Sequence, residues 1–169
     1  MVLTKEELIS SLQKEVRILV HLSDKIDRAK IDYRPTSKQR SFLELLQYMA
    51  IMGPTQIAAA RAGAFTRDAM MALWGPSDAA SKAMNFDQAV DAIQKQSDDY
   101  AQLLAGWTDS DFRTEIDMFG HKMTKGSFVV NTVLGGHAAY RMQLFCYLKA
   151  TGREELSTIN LWMGADGTM

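Results

Sequence analysis

Apolar side chains recur every three or four residues near the start of the chain, which is the spacing of one face of an α-helix. The repeat consists of Leu8, Leu12, Val16, Leu19, Leu22 and Ile26. Thr4 and Glu7 have the spacing of a capping box, in which each side chain satisfies a backbone N–H of the first turn. The pattern therefore predicts a helix that begins after Thr4 and runs to about residue 29.

A second capping box, Ser41 with Glu44, predicts a helix through the sequence ELLQYMAIM. Gly53-Pro54 then either breaks or kinks this helix, because proline has no backbone N–H to donate. Alternatively, Pro54 lies in the first turn of a new helix, QIAAARAGAF. Residues 64–84 have a less regular pattern, for which we expect a short helix and a turn at Gly75-Pro76.

Asn85 and Gln88 predict the start of a third long helix, which Gly106 ends. Its apolar face comprises Phe86, Val90, Ile93, Tyr100 and Leu104. The segment after it contains apolar residues on both sides of Gly120-His121, and we expect a small β-hairpin that turns there.

The fourth long helix is predicted from near Thr124 to about Ala150, with Gly152 as its stop. The tail that follows is expected to be extended and to pack Leu161 and Trp162 on the body. Four amphipathic helices with two long connections indicate an all-α four-helix bundle, with the hairpin as an accessory before the last long helix. We expect residues 1–169 to form a single domain.

Composition narrows the function classes. Lysine and arginine are dispersed and the net charge is −1, so nucleic-acid binding is not expected. The chain shows no signal peptide and no run of ~18–20 apolar residues, so no membrane association is expected. A lone cysteine, Cys146, excludes an intramolecular disulfide and fits a reducing compartment. We therefore expect a cytoplasmic protein.

Nucleophile, P-loop and zinc-protease motifs are absent, so the histidines are the remaining candidates. His21 and His121 are expected at the surface or its boundary. His137 lies on the fourth predicted helix, beside a face expected to be buried that contains Val133, Gly136, Tyr140, Leu144 and Tyr147. We expect it to be partly buried and bonded to a neighbour. A stripe of Gly135, Ala139, Met142 and Cys146 predicts a close helix contact, either within the bundle or across a dimer.

Two segments, DYRPTSKQRSFLELLQYM and GGHAAYRMQLFCYLKATG, resemble the DinB/YfiT-like superfamily. The second segment is similar to that family's H-x-x-x-H-R-x-Q-L…Y-L…G signature, and the likeness extends over about residues 4–165. The resemblance implies a four-helix bundle that is often dimeric. It also implies a divalent metal held by one histidine of the second helix and two of the fourth. Characterised members include thiol transferases and a thiol-using isomerase.

Placed in the family's register, the chain lacks all three metal-ligating histidines. Tyr48, Gly136 and Tyr140 occupy those positions, and His137 lies one residue beyond the second. Tyrosine is a neutral, weak ligand near pH 7. The prediction is therefore no metal, with Tyr48, Gly136, His137 and Tyr140 lining a small-molecule pocket between the second and fourth helices. Arg141 belongs to the same predicted ligand-binding set.

Three functions remain open. The first is a metal-free binding or stress-associated protein whose cavity holds a Tyr–His cluster. The second is a thiol-dependent transferase or isomerase, with a low-molecular-weight thiol and a weak divalent metal site for zinc or nickel. The third is a structural role as a homodimer, for which the alanine- and methionine-rich residues 57–74 offer a contact surface or, alternatively, a lid or an ordinary satellite core. Whether the protein is an enzyme stays open.

Overall fold

Side-chain caps open the long helices at the residues that the sequence indicates. In the computed structural model, which describes residues 3–63 and 65–167, capping boxes form at Thr4, Ser41 and Asn85. The helices are α1 (Lys5–Ser23), α2 (Phe42–Ala62), α3 (Arg67–Lys82), α4 (Phe86–Leu104), α5 (Asp109–Arg113), α6 (Lys125–Phe128), α7 (Gly135–Ala150) and α8 (Thr158–Met163). The two strands are β1 (Glu115–Met118) and β2 (His121–Thr124).

The predicted bundle is confirmed, with α1, α2, α4 and α7 as its members. α4 packs on α1 and α2, and α7 packs on the same two helices from the other side. The core between them is apolar and includes Leu12, Leu19, Leu45, Leu46, Ile93, Leu104 and Leu144. α3 lies against α2, outside this arrangement. Side chains of α4 and α7 that point inward therefore approach each other across the centre of the bundle.

The predicted hairpin is also confirmed. β1 and β2 pair antiparallel, with Met118 opposite His121. The turn consists of Phe119 and Gly120, one residue earlier than predicted, and both have positive φ angles (57° and 87°). Such angles at both central residues belong to the tight turn that matches the twist of a two-stranded hairpin. His121 is exposed at the start of β2, as expected.

The first helix ends earlier than predicted. α1 stops at Ser23, where Lys25 and Ile26 donate to carbonyls three residues back and tighten the last turn. Asp27 then accepts from the backbone of Ala29 and caps a short 3₁₀-helix. Ile26 is nevertheless buried, because the tightened turn keeps it on the core side.

Both Gly-Pro pairs lie inside helices, so the predicted turn at Gly75-Pro76 is wrong. Of the alternatives at Gly53-Pro54, the break into separate helices is wrong and a single helix through the pair is retained. α2 and α3 continue through these pairs. In α3, Pro76 leaves the carbonyl of Ala72 without a helical donor. Ala72 is exposed, so water can supply that bond. In α2 the corresponding carbonyl is buried, and another side chain supplies the bond, as described below.

The tail is helical rather than extended. Ser157 and Asn160 form a capping box for α8, and Gly164 ends the helix in the left-handed conformation. Leu161 is buried as predicted, but Trp162 is 53 % exposed. Within residues 3–63 and 65–167, none of the helices combines the length and apolarity needed to span a bilayer.

The last long helix contains a π-helical segment that the sequence did not indicate. Residues Val129–Leu134 form it between α6 and α7. In the α7 that follows, His137 is fully buried, whereas Gly136 and Tyr140 are half-buried. The predicted burial of Val133, Leu144 and Tyr147 is confirmed, whereas the predicted burial of Gly136 and Tyr140 is wrong, because His137 and Arg141 face the core instead. The small-residue stripe from Gly135 to Cys146 is exposed in the single chain.

Candidate functional site

Tyr48 of α2 and Tyr140 of α7 lie side by side, as the predicted pocket requires. Their ring centroids are 5.0 Å apart at an interplanar angle of 65°. Trp74 of α3 packs on the other side of Tyr48, 5.7 Å between centroids. Burial, and then the neighbouring Tyr140, raise the pKa of the Tyr48 hydroxyl. The Tyr48 hydroxyl is therefore neutral at pH 7.

The space beside Gly136 is filled by Met52 of α2. A Cβ at position 136 would lie 3.1 Å from the Met52 Cε atom and 3.3 Å from its sulfur. Met52 is only 1 % exposed, so it is fixed among its neighbours. Two of the three positions at which the family resemblance expects histidines thus carry phenol rings, and the thioether of Met52 lies beside the third.

This donor set does not fit a divalent metal. Zinc and nickel favour imidazole, thiolate and carboxylate ligands, whereas a neutral phenol with a raised pKa and a thioether bind them weakly. Within the described part of the chain, no group of three or more histidine, cysteine, aspartate or glutamate side chains is placed to hold a metal ion.

His137 does not join the two tyrosines. Its Nε2 atom instead bonds to the hydroxyl of Tyr100, which reaches it from α4 across the bundle. The Tyr100 hydroxyl also lies 2.9 Å from Oε1 of Gln96. The predicted cluster of His137 with Tyr48 and Tyr140 is therefore wrong, and a separate buried polar chain takes its place.

The direction of this chain is fixed at its Gln96 end. The Gln96 amide nitrogen donates to the backbone carbonyls of Met49 and Ala50, both at 2.8 Å. Its Oε1 must therefore accept, so the Tyr100 hydroxyl donates to it. The Tyr100 oxygen then accepts from Nε2–H of His137. This assigns His137 as the neutral tautomer with its proton on Nε2.

Gln96 also explains how α2 continues through Pro54. In an α-helix the N–H of residue 54 would donate to the carbonyl of Ala50, and proline lacks that N–H. The side chain of Gln96 supplies the bond instead. Gly53 leaves room for the same network, since a Cβ there would lie 1.8 Å from the Tyr100 hydroxyl and 3.0 Å from Nε2 of His137.

The far side of the His137 ring has no partner. Its Nδ1 atom is buried without a hydrogen-bond partner among the described residues. Burial lowers the pKa of His137 to about 4, because the charged imidazolium would lose its hydration. The imidazole is therefore neutral at pH 7, in agreement with the tautomer assigned from its bonds.

Arg141 is bound to the protein itself. Its guanidinium donates to the Glu15 carboxylate of α1 at 2.9 Å, and both side chains are almost fully buried. The Trp162 ring covers the guanidinium from α8, with the Arg141 Cζ atom 4.9 Å from the ring centroid. Burial raises the pKa of Glu15, and the charge of Arg141 opposes that shift. Arg141 therefore joins α1, α7 and α8.

Two other signature residues of α7 hold the loop that precedes α2. Gln143 donates to the Tyr147 hydroxyl at 2.6 Å, and that hydroxyl donates to the backbone carbonyl of Arg40 at 3.1 Å. The fixed backbone places the Arg40 guanidinium over the Tyr48 ring, with 3.9 Å between its Cζ atom and the ring centroid. The loop and the aromatic pair are thus connected through α7.

A polar cleft of about 870 Å³ opens beside Tyr48. It is bounded by the loop at residues 34–41, by α2 and α3, and by Gln143 of α7. Among its charged residues, Arg34 pairs with Glu44 at 3.2 Å and Lys82 pairs with Asp78 at 2.6 Å. The cleft therefore differs from the predicted pocket, because it includes Tyr48 but not His137.

Sequence reasoning missed the partners of His137 and the basic loop. The sequence places Tyr100 on the apolar face of the third predicted helix, and this pattern gives no indication that its hydroxyl has a polar partner. Gln96 lies one helical turn earlier on the same face, and a glutamine at an otherwise apolar position was the available signal. Ligand binding by Tyr48, Gly136, His137, Tyr140 and Arg141 stays a prediction.

A solved structure of known fold resembles this chain over most of its length. No family model matches the chain, and no curated protein matches it. Among solved structures, the crystal structure of YjoA, a DinB-like protein of Bacillus subtilis, superposes with a TM-score of 0.66 at 17 % identity. The match covers 89 % of this chain and 94 % of that one. The chain therefore has a DinB-like fold, as its sequence resemblance predicted, and at this identity the likeness shows the fold alone.

Proposed function

We propose that the protein is a metal-free DinB-like binding protein that takes a small-molecule ligand in the cleft beside Tyr48. The observation that carries the proposal is the filling of the family's metal position. Tyr48 and Tyr140 pack together there, and Met52 fills the space at Gly136. The polar cleft beside these packed side chains remains available to a ligand.

Metal analysis tests the first half of the proposal. Tag-free protein is incubated with zinc or nickel, desalted, and analysed by elemental mass spectrometry. We expect far less than one metal ion per chain. One equivalent that is retained by His121→Gln, which changes an exposed histidine, and lost in His137→Ala would contradict the proposal.

A thiol-dependent transfer reaction is the alternative function. The neutral Tyr48 hydroxyl favours it, because a fixed donor at the edge of a cleft can stabilise a developing anion. Turnover of glutathione with electrophilic acceptors would support this alternative if Tyr48→Phe or Tyr140→Phe abolished it. Stoichiometric binding without turnover would support the binding protein.

The homodimer, the stress-associated role and the cytoplasmic location stay predictions. Light scattering tests the first of them. Two exposed methionines mark different faces, Met71 on α3 and Met142 in the small-residue stripe of α7. Met71→Glu and Met142→Glu therefore form a matched pair. A dimer that only one substitution disrupts identifies the face involved, and a monomeric wild-type protein would contradict the dimer.

A further inference from the structure

We propose that the cleft beside Tyr48 binds a small organic anion through Arg40 and Lys38, with a carboxylate as the group recognised. This inference rests on the proposed function, because it assigns a ligand class to the same cleft. It concerns two basic residues that neither the family resemblance nor the fold comparison singles out.

The cleft contains more positively charged than negatively charged side chains. Four basic side chains line it, Arg34, Lys38, Arg40 and Lys82, together with only two carboxylates, Glu44 and Asp78. Both carboxylates are paired, with Arg34 and Lys82. Among the described residues, neither Lys38 nor Arg40 pairs with a carboxylate. The cleft therefore has an excess of two positive charges, which favours an anionic ligand.

Contacts within the protein hold Arg40 in position in the absence of a ligand. Its backbone carbonyl is fixed by Tyr147, and its guanidinium lies on the Tyr48 ring. Stacking on an aromatic face leaves the N–H edge of a guanidinium free, and that edge matches a carboxylate with two parallel hydrogen bonds. Because the side chain is already ordered, less conformational entropy is lost on binding.

An aromatic surface lies beneath Arg40. The Tyr48 ring carries the guanidinium on one face, and it packs against the rings of Tyr140 and Trp74. A ligand with a carboxylate and a short apolar or planar part would use both kinds of contact. The pairing of Arg34 and Lys82 with their own carboxylates confines the recognition of the anion to the Lys38 and Arg40 side of the cleft.

Titration with matched small molecules, followed by NMR of the Trp74 indole and backbone amides, tests the inference. The probes are succinate, its neutral isostere succinamide, and inorganic phosphate. We expect succinate to shift resonances around Tyr48 and Arg40, with succinamide much weaker. Arg40→Gln and Lys38→Gln should each weaken succinate binding about tenfold, and raising the salt concentration should weaken it in the wild type.

The matched control is Arg61→Gln, which removes one positive charge from an exposed site at the other end of α2. It should leave succinate binding unchanged. Phosphate binding with the same dependence on Arg40 and Lys38, and no succinate binding, would support the anion site but overturn the carboxylate assignment. Equal binding of succinamide, or equal loss in Arg61→Gln, would overturn the anion site. Metal analysis is independent of these outcomes, so failure here is distinguishable from failure of the metal-free proposal.

Discussion

Gln96 donates from α4 the hydrogen bond that Pro54 cannot donate within α2. The acceptor is the carbonyl of Ala50, and the same amide also reaches the carbonyl of Met49. A proline inside a buried helix ordinarily leaves such a carbonyl without a partner and destabilises the protein by about 3 kcal/mol. Here the irregularity of one helix and a polar side chain of another compensate each other in the middle of the core.

Replacement of Gln96 by leucine should therefore strongly lower the stability of the protein. Gln96→Leu leaves the Ala50 carbonyl without a donor and the Tyr100 hydroxyl without its acceptor, and we expect a loss of about 2–4 kcal/mol in the free energy of unfolding. Adding Pro54→Ala restores a helical N–H, so the double variant should recover about 1 kcal/mol relative to additivity. Urea denaturation of the four proteins in this cycle measures the coupling, and strictly additive effects would contradict the compensation.

Two glycines inside helices should respond oppositely to alanine. Gly53→Ala places a Cβ against the Tyr100 hydroxyl, so we expect destabilisation by about 1–3 kcal/mol. Gly135→Ala on the exposed face of α7 meets only the Val130 carbonyl oxygen, at an ordinary contact distance of 3.5 Å, and should stabilise the protein by about 1 kcal/mol through helix propensity. Thermal and urea unfolding compare the two. An unaffected Gly53→Ala protein would show that the Tyr100–His137 contact is not tightly packed.

His137 should make stability depend on pH between about 4 and 6.5. Burial lowers its pKa in the folded protein to about 4, whereas an unperturbed histidine in the unfolded chain has a pKa of 6.5. As pH falls, the unfolded chain therefore binds the proton first. The contribution is complete above pH 6.5 and is lost as pH falls toward 4, by about 3 kcal/mol in total. His137→Gln should flatten this part of the urea-unfolding profile.

The histidine control is His121→Gln, because His121 is exposed on the hairpin. It should retain the wild-type slope between pH 4 and 6.5. His21 also has a pKa lowered by burial and contributes with the same sign, so the relevant quantity is the difference between the two variants. An identical slope in His137→Gln and wild type would contradict the assignment of a buried neutral imidazole.

Breaking the buried pair of Glu15 and Arg141 should cost more than breaking an exposed one. Arg141→Met leaves the Glu15 carboxylate buried without its cation, and we expect a loss of about 3–5 kcal/mol. Arg28→Gln breaks a bidentate pair with Asp87 at the exposed surface, where water screens the two charges, and should change stability far less. Glu15→Met with Arg141→Met should recover most of the loss, and urea unfolding provides the comparison.

The parts of the structure that follow from local chemistry were predictable. Capping boxes and apolar spacing placed the starts of α1, α2 and α4, and the glycine in the turn indicated the hairpin. The Gly-Pro pairs were interpreted wrongly for two reasons. At Gly53-Pro54 a tertiary hydrogen bond from Gln96 replaces the missing helical one, whereas the exposed Ala72 carbonyl opposite Pro76 needs no partner from the protein. Nothing near Pro54 in the sequence indicates that Gln96, more than forty residues away, will satisfy its helix.

The candidate site was likewise predictable only in part. The resemblance correctly brought Tyr48 and Tyr140 together, because their positions lie at facing points of a shared fold. It did not identify the role of His137, which lies one residue beyond the expected ligand position and is nevertheless fully buried. The partner of His137 required the packing of α4 to be known.

The Met52 side chain beside Gly136 has a consequence for engineering a metal centre in this scaffold. Histidines at positions 48, 136 and 140 would supply the ligands that the family resemblance implies, but a Cβ at position 136 would lie 3.1 Å from the Met52 Cε atom. A designed metal site would therefore combine the three histidines with a fourth change, a smaller side chain at position 52, so that the residue at 136 has space.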